Sequence, residues 1–371
     1  MQNWMLSELE SGERVISERL DHVRSVAVGY WIGAGARDEH VEHALEVMAD
    51  MVFAPAFAEV DQEREVVLEE IAMYEDTPQD LVHDLFSEAV FGDHALGRPV
   101  IGTAEVISTV SRRALAAWHR GSYTPGNIVV ASAGSLPHDR LVALLQRSER
   151  RAGAGARAGT RVRRPLTHLP EPGVRFVRKE TEQYHLCLGA TGISRSDRRR
   201  FAVSLLDSTL GGSASSRLFQ EIREKRGMAY SVYSFGSQYT DTGLLGVYVG
   251  TRGENLGPCI EITVEQIAEI AAGHLRKGEL ERAKENLKGR IVLSLESTSN
   301  RMSRLGKSLV SDTELLTLER VIAEIDAVTR DELAELAGVL LPEERLAAAG
   351  VGPDEATFLA ALGRGVERRA A

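Results

Sequence analysis

Two histidines near residue 40 have a spacing that could bind a metal ion. His40 and His43 lie three positions apart at the start of a predicted helix, and Glu46 follows on the same face. Imidazole and carboxylate groups bind zinc when three or four of them converge, and Glu70 is a possible distant ligand. The alternative, an exposed first turn of a helix, is the interpretation that we favour.

Arg223 and Tyr230 form a second candidate site. They lie seven positions apart in the segment REKRGMAY. A guanidinium group and a phenol hydroxyl both donate hydrogen bonds, so together they could stabilise a developing oxyanion. The alternative is an amphipathic helix with a surface arginine and a buried tyrosine.

The other polar and aromatic residues are expected to have structural roles. The two cysteines lack a second cysteine or a histidine at ligand spacing, which excludes a disulfide framework and a zinc knuckle. We interpret Cys187 as a small buried hydrophobic residue. Packing or capping roles are expected for His83, His94 and His119, and positions at the edge of a core for Trp31 and Trp118.

Length, composition and charge define the class of protein. The 371 residues are about twice the common domain size, which predicts two domains. A net charge of −10 argues against binding to nucleic acid or to anionic lipid through a basic surface. The sequence has neither a signal-peptide pattern at its start nor an apolar run long enough to span a membrane, so we expect a cytoplasmic protein.

Hydrophobic periodicity predicts alternating strands and helices. In the first part we predict a buried strand over 24–36, helices over 40–53, 63–76 and 78–91, a strand over 127–134 and a helix starting near His138. In the second part we predict a strand over 184–192, helices over 197–212 and 215–227, a hairpin over 230–250, and helices over 254–272 and 279–297.

A segment rich in Ala, Gly, Arg and Pro separates the two parts. We predict a linker over 151–172, because this segment has no sustained helical or strand period. The predicted domains are therefore 1–150 and 173–371. The first is expected to be a shortened copy of the second.

The two parts resemble each other, which indicates a tandem repeat. The segment 107–134 matches 325–350 in its apolar pattern, in Pro125 and Pro342, and in the closing Gly134 and Gly350. In the second copy, residues 193–253 separate the first strand from the next matching helix. In the first copy only residues 37–39 do so, which indicates that this copy lacks two helices and a hairpin.

The sequence resembles the pitrilysin and insulinase family of zinc peptidases, and within it the bacterial branch similar to the mitochondrial processing peptidase. The resemblance extends over nearly the whole chain. The matching stretches are VAVGYWIGAGARDE, EREVVLEEIAMYED, HALGRPVIGT, YTPGNIVVASAG, SSRLFQEIREKRGMAYSVYS and ELERAKENLKGRIVLSLESTSNRM.

Members of this family hold zinc with an inverted His-x-x-Glu-His helix and a distant glutamate. This sequence contains no His-x-x-Glu-His. In the family the motif follows soon after the segment that matches GAGARDE, which is where the internal repeat indicates missing residues.

The resemblance also assigns roles to individual residues. Glu70 matches the distant metal ligand and Glu63 a supporting acidic position, both remnants of a zinc site. Arg223 and Tyr230 match residues that bind the substrate backbone. The implied fold class is α+β, with two tandem homologous α/β domains in which helices pack on a mostly antiparallel sheet, the first shortened by loss of the metal-motif segment.

Three functions remain open. The chain is a zinc endopeptidase with a non-standard site, a non-catalytic peptide-binding or partner subunit, or a nonfunctional deletion relative of an active processing peptidase. We favour the second, without bound zinc, because no group is present to activate a zinc-bound water. The expected partners are a peptide or unfolded protein segment and either a second copy or a zinc-bearing sister chain, since uncovered sheet edges favour association.

Overall fold

A computed structural model of the chain describes residues 4–9, 12–20, 25–29, 34–37, 40–151 and 171–367. Two compact units share the chain. The first unit comprises Met1–Arg64, Thr109–Arg164 and Gly289–Val321. The second comprises Glu65–Ser108, Pro165–Lys288 and Ile322–Ala371. Each unit therefore draws on both halves of the sequence, while the segment predicted as a linker lies almost entirely outside the described residues.

The first unit contains a five-stranded sheet in the order β1-β2-β5-β3-β4. The pairing of β2 with β5 is parallel and the other pairings are antiparallel. The strands are β1 (Trp4–Glu8), β2 (Arg14–Arg19), β3 (Ser25–Gly29), β4 (Ala34–Arg37) and β5 (Val129–Gly134).

The second sheet has the order β6-β10-β7-β9-β8, in which β6-β10-β7-β9 corresponds to β2-β5-β3-β4 and the fifth strand lies at the opposite edge. Here β6 and β10 are parallel and the remaining pairs antiparallel. The strands are β6 (Val174–Arg178), β7 (Tyr184–Gly192), β8 (Ala229–Gln238), β9 (Gly243–Thr251) and β10 (Ala347–Gly352). The predicted fold class is confirmed by these two mostly antiparallel sheets and the helices that cover them.

Thirteen α-helices lie in the described residues. Their bounds are α1 (Val41–Phe53), α2 (Val60–Glu75), α3 (Pro78–Phe91), α4 (Ala104–Thr109), α5 (Arg112–Ser122), α6 (His138–Arg151), α7 (Arg200–Leu210), α8 (Gly253–Ala271), α9 (Glu279–Ser294), α10 (Thr298–Val310), α11 (Leu318–Ala327), α12 (Arg330–Leu340) and α13 (Glu355–Glu367).

Apolar side chains on alternate sides of the central strands β5 and β10 pack on both faces of each sheet. In the second unit Ala348 packs with α8 and α13, whereas its neighbours Ala347 and Ala349 pack with Phe86 of α3. In the first unit Val130 packs with α1 and α6, whereas Ala131 packs with Met302 of α10. One helix on each sheet thus comes from the other half of the chain.

The repeat extends without a gap from α1 to β5. Strand β5 runs from residue 129 to 134 and β10 from 347 to 352, a shift of 218 positions. The same shift relates α5 to α12 and brings the end of α1 onto the end of α8. The counterpart of Gly134 is therefore Gly352, and the predicted match to Gly350 was wrong by two residues.

The first copy is shorter before α1. Val28 pairs with Ser132, and Leu186 pairs with Gly350, the counterpart of Ser132. Val28 and Leu186 are therefore equivalent, and 158 positions separate them. From Val41 onward, equivalent residues are 218 positions apart. The second copy contains 60 more residues in this interval, and these include α7, β8 and most of β9.

Three predictions about local structure need correction. The strand predicted over 24–36 is two short strands, β3 and β4, which pair with each other. The periodicity of α2 predicts that Val67, Ile71 and Tyr74 share a buried face; Ile71 is buried, but Val67 and Tyr74 are only partly covered. Trp118 is 65% exposed and does not lie at a core edge. Trp31 lies outside the described residues.

Both cysteines are buried in the second unit, Cys187 on β7 and Cys259 on α8. Burial raises the pKa of each thiol, to about 11 for Cys259. These properties fit the structural role expected for Cys187. Among the described helices, none is both long and apolar enough to cross a membrane.

Candidate functional site

Arg223 and Tyr230 lie together in the second unit. The Arg223 guanidinium carbon is 4.6 Å from the centre of the Tyr230 ring and 4.8 Å from that of Phe219. Tyr230 is 79% exposed. A cation in contact with two aromatic rings has less rotational freedom than a free arginine side chain. The pair is therefore an ordered, accessible set of hydrogen-bond donors.

A short π-helix and a tight turn bring these two side chains together. The π-helix covers Phe219–Glu224, and β8 begins at Ala229. Between them Gly227 has a φ of +60°, in the left-handed region that glycine adopts without strain. The Thr251 hydroxyl donates a 2.7 Å hydrogen bond to the Met228 carbonyl and fixes the end of the turn.

A buried ion pair attaches the start of this segment to α9. Arg217 is fully buried, and its Nε and Nη2 each donate a 2.8 Å hydrogen bond to the two carboxylate oxygens of Glu279. Arg217 also donates to Glu269 at 3.1 Å and to the His274 carbonyl at 2.7 Å. This bidentate geometry is the strongest form of arginine–carboxylate contact. The sequence analysis did not identify Arg217 or Glu279.

A second carboxylate, Glu221, supports the π-helix from within. It accepts hydrogen bonds from Lys225 and Arg226 at 2.7 Å and from Arg276 at 2.6 Å. Burial raises the pKa of Glu221, but these three donors outweigh burial and lower the pKa to about 2. Glu221 therefore stays ionised and holds three cations beside the Arg223 segment.

The two predicted remnants of a zinc site lie on α2. Glu63 and Glu70 are seven positions apart, about two helical turns, and both are exposed. A single helix face with two carboxylates supplies too few ligands for zinc, which takes three or four from the protein.

The histidines near residue 40 lie at the exposed start of α1. His40 and His43 both face solvent, and the neighbouring Glu42 accepts a 2.8 Å hydrogen bond from Arg147 of α6. Within the part of the chain that the structure describes, no group of three or more His, Cys, Asp or Glu side chains is placed to hold a metal ion.

Three further histidines have structural contacts, as predicted. His94 Nδ1 accepts a hydrogen bond from the Leu96 amide and caps a short 3-10 helix. His119 Nε2 lies 2.8 Å from the Val52 carbonyl oxygen. His83 Nε2 is 3.0 Å from the Tyr233 hydroxyl in the core, and burial lowers the pKa of His83.

Comparison with known families identifies two adjoining matches. Residues 34–104 match the family "Insulinase (Peptidase family M16)", and residues 109–287 match "Peptidase M16 inactive domain". The second match contains Arg223, Tyr230 and the residues that anchor them.

Several bacterial proteins are similar over most of their length. The chain is 35% identical to an uncharacterized zinc protease of Streptomyces coelicolor, over 89% of this chain and 85% of the relative. It is 35% identical to the uncharacterized zinc protease YmxG of Bacillus subtilis, over 90% and 95% of the two chains.

Two solved structures have the same fold. A peptidase M16 inactive domain from Pseudomonas fluorescens superposes with a TM-score of 0.85 at 20% identity, over 95% of this chain and 98% of that one. A protease from Helicobacter pylori superposes with a TM-score of 0.82 at 17% identity, over 94% and 99%.

Proposed function

Because this chain belongs to the insulinase family of peptidases, family M16, we propose that it is a non-catalytic member that binds peptides or serves as a partner subunit. The family and the names of its relatives imply zinc-dependent peptide hydrolysis. In this chain, however, the part of the fold that would supply the zinc motif is missing. The function left to it is recognition of an extended polypeptide.

The observation that carries this proposal is the difference in length between the two copies. In the first copy the interval runs from β3 to α1, and in the second copy the equivalent interval runs from β7 to α8. The second interval is 60 residues longer than the first. The inverted zinc motif of the family belongs in this interval, and no His-x-x-Glu-His occurs anywhere in the sequence. One loss therefore explains both the short copy and the absent motif.

The lengths of the alignments support this explanation. The alignment with the Streptomyces coelicolor relative extends over 396 positions, although it includes only 89% of the 371 residues of this chain. The Bacillus subtilis alignment extends over 395 positions and includes 90%. Each relative thus has a substantial number of residues opposite gaps in this chain.

The donors that remain do not fit zinc. Glu70 retains the position of the distant ligand and Glu63 that of the supporting carboxylate, but both are exposed carboxylates on one helix. A catalytic zinc takes three protein ligands, most of them imidazole or thiolate, and keeps an open position for water. We therefore assign no hydrolytic step to this chain.

Peptide recognition is assigned to Arg223 and Tyr230. The guanidinium and the phenol hydroxyl present several donors in a fixed relation, and a peptide backbone offers carbonyl acceptors. The Phe219 and Tyr230 rings hold the guanidinium, so less conformational entropy is lost when a peptide binds. The buried Arg217–Glu279 pair keeps this segment attached to α9.

The partner-subunit role follows from the same loss. A unit that lacks one catalytic segment but keeps a peptide-binding segment could supply substrate contacts to a zinc-bearing sister chain, or pair with a second copy. We place such an assembly in the cytoplasm. A neighbouring coding sequence for a sister chain with an intact inverted motif would favour the heterodimer.

The test measures peptide binding, peptide cleavage and zinc content on the same preparation. We expect labelled unfolded peptides to bind by fluorescence anisotropy, without cleavage in the presence or absence of added zinc. Arg223→Ala and Tyr230→Phe should each weaken binding about tenfold, the loss of one good hydrogen bond or cation–π contact. The exposed Arg198→Ala serves as a matched control and should leave binding unchanged.

Two outcomes would contradict the proposal. Cleavage that depends on zinc, with about one zinc per chain by elemental analysis, would identify an active peptidase with a non-standard site. Absence of peptide binding to a folded chain, alone and with a zinc-bearing sister, would identify a nonfunctional deletion relative.

A further inference from the structure

The repeat allows each helix of the first unit to be compared with its counterpart. Helix α12, the counterpart of α5, buries Leu333, Leu336 and Ala337, each with an exposed fraction of at most 1%. It packs closely against α7 and α8. This face of α12 is therefore an internal contact surface of the second unit.

The same face of α5 is less covered, with Leu115 and His119 partly buried and Trp118 exposed. The residues that correspond to Leu333 and Leu336 are Leu115 and Trp118, and Trp118 is 65% exposed. Helix α5 buries none of its residues, and it makes no comparable packing contact with any other described element. One of the two helices that cover α12, α7, belongs to the residues that only the second copy contains, whereas the other, α8, has its counterpart in α1.

Aromatic side chains extend the open surface. Tyr123 is 41% exposed and lies 4.4 Å from the His119 ring and 5.9 Å from the Trp118 ring, measured between ring centres. Leu115, Trp118, His119 and Tyr123 together form what we call the α5 aromatic face. Large exposed apolar groups that adjoin one another are typical of an interaction surface.

Polar contacts hold α5 in place and leave Trp118 exposed. Arg64 donates to the Val110 carbonyl at 2.8 Å, and Arg112 donates to the Ala56 carbonyl at 2.8 Å. His119 contacts the Val52 carbonyl. The helix is thus fixed at both ends, while Trp118 stays open to a partner.

The charges around the face differ between the two copies. On α12 the residues Asp331 and Glu335 are acidic, and Glu335 attracts Arg199 at the start of α7. On α5 the same two positions are Arg113 and Ala117, and Arg120 adds a further positive charge. A helix that docks on α5 therefore needs acidic residues where α7 has arginines.

We propose that the α5 aromatic face binds an amphipathic helix of a separate polypeptide, with aliphatic residues on one side and acidic residues beside them, in the place that α7 occupies in the second unit. The aliphatic pattern follows α7, which buries Ala202, Leu205 and Leu206. A second copy of this chain is disfavoured, because its own α7 is basic at its start and already packed against α12. This site lies in the first unit and is independent of Arg223 and Tyr230.

The experiment uses the full chain and two synthetic peptides. One has the sequence of residues 197–212, DRRRFAVSLLDSTLGG. The other is the same peptide with Arg198, Arg199 and Arg200 each replaced by Glu. We expect the acidic peptide to bind at least about tenfold more tightly than the arginine peptide, measured by fluorescence anisotropy of a labelled peptide at low salt.

Substitutions in the chain locate the site. Trp118→Glu should weaken binding of the acidic peptide at least about tenfold, because it removes the largest apolar side chain of the face. Arg113→Glu should reverse the preference between the two peptides. Val339→Glu is the matched control, since Val339 is a similarly exposed apolar residue on α12, and it should leave binding unchanged.

Three results would overturn the proposal. The first is absence of binding by either peptide to a chain with native circular dichroism. The second is equal affinity for both peptides, which would show that the charge of the peptide does not affect its binding. The third is a concentration-dependent dimer in sedimentation that Trp118→Glu abolishes, since the occupant would then be a second copy.

Discussion

At the scale of single residues, Arg217 best illustrates how a buried charge is stabilised. Its side chain is fully buried and the Glu279 side chain is only 9% exposed. Removing both ions from water costs several kcal/mol each, and the bidentate contact offsets this only while both partners are present. The pair therefore acts as one unit, although its members lie 62 positions apart in the sequence.

Replacement of Arg217 by leucine should destabilise the chain strongly. The variant leaves the Glu279 carboxylate buried without its main partner, so we expect the free energy of unfolding to fall by about 3–5 kcal/mol. Urea unfolding monitored by circular dichroism measures the change. The double variant Arg217→Leu/Glu279→Leu should recover much of this loss, because no unpaired charge remains.

An exposed pair supplies the control. Arg178 and Glu180 form an ion pair in which both side chains are more than 70% exposed. Arg178→Leu should cost less than about 1 kcal/mol, since solvent already screens the pair. Equal losses for Arg217→Leu and Arg178→Leu would contradict the stabilising role of the buried pair.

Residue types and spacing could predict some of the candidate site. Arg223 and Tyr230 are close in sequence, so one turn is enough to bring them together, and the structure has them in contact. Their role in peptide binding stays a prediction. The burial of Arg217 could not be predicted, because its partner Glu279 lies on a helix distant in sequence. No local sequence pattern indicates that an arginine is buried.

At the scale of elements, Glu221 joins the π-helix Phe219–Glu224 to Lys225, Arg226 and Arg276 through hydrogen bonds to its carboxylate. Its pKa of about 2 lies below the value of about 4.3 for an unperturbed glutamate. A carboxylate with a lower pKa in the folded than in the unfolded chain stabilises the fold above the unfolded pKa. This contribution is lost as the pH falls through the folded pKa.

Acid should therefore remove the contribution of Glu221. We expect Glu221→Gln to be less stable than the unmodified chain at pH 7, with the difference shrinking as the pH falls from about 4.5 toward 2. Urea unfolding of both proteins across this range measures the difference. A difference that does not change with pH would mean that Glu221 acts through packing and not through its charge.

Helices α5 and α12 should differ in local stability. Both have 11 residues and occupy equivalent positions, but α12 buries four side chains and α5 buries none. Since burial of apolar groups resists local opening, we expect amides in 112–122 to exchange at least about tenfold faster than those in 330–340. Hydrogen exchange with mass spectrometry measures both segments in one sample, and similar protection would contradict the exposure of α5.

Periodicity predicts which face of a helix is buried, but not which sheet covers it. The periodicity of α1 predicts Val41, Leu45, Met48 and Val52 on one face, and all four are buried. The pattern of α3 likewise predicts an apolar face, yet this helix packs on a sheet of the second unit together with Cys187 and Tyr248. The sequence of α3 does not indicate which of the two sheets it covers, because both sheets present small and aliphatic side chains.

At the scale of the whole molecule, the shortened repeat determines the response to metal. A ligand that binds only the folded chain raises its melting temperature by mass action. Since the donors that remain do not fit zinc, we expect neither added zinc nor a chelator to shift the thermal transition.

The histidines near residue 40 provide the check on this prediction. A rise in melting temperature with zinc that is lost in His40→Ala/His43→Ala would show that these residues bind the ion, and it would overturn the assignment of a non-catalytic chain. If the melting temperature of the double variant still rises with zinc, the prediction is also contradicted, and the zinc ligands lie elsewhere in the chain.

The two cysteines allow the opening of one unit to be timed. Both thiols lie in the second unit, both are buried, and the first unit has none. A thiol-specific dye can therefore react only when the second unit opens. The labelling rate thus measures the rate at which that unit alone opens. The cysteine of a Trp118→Cys variant would react with the dye at once. It would provide an attachment point for a probe, while Cys187 and Cys259 stay unlabelled.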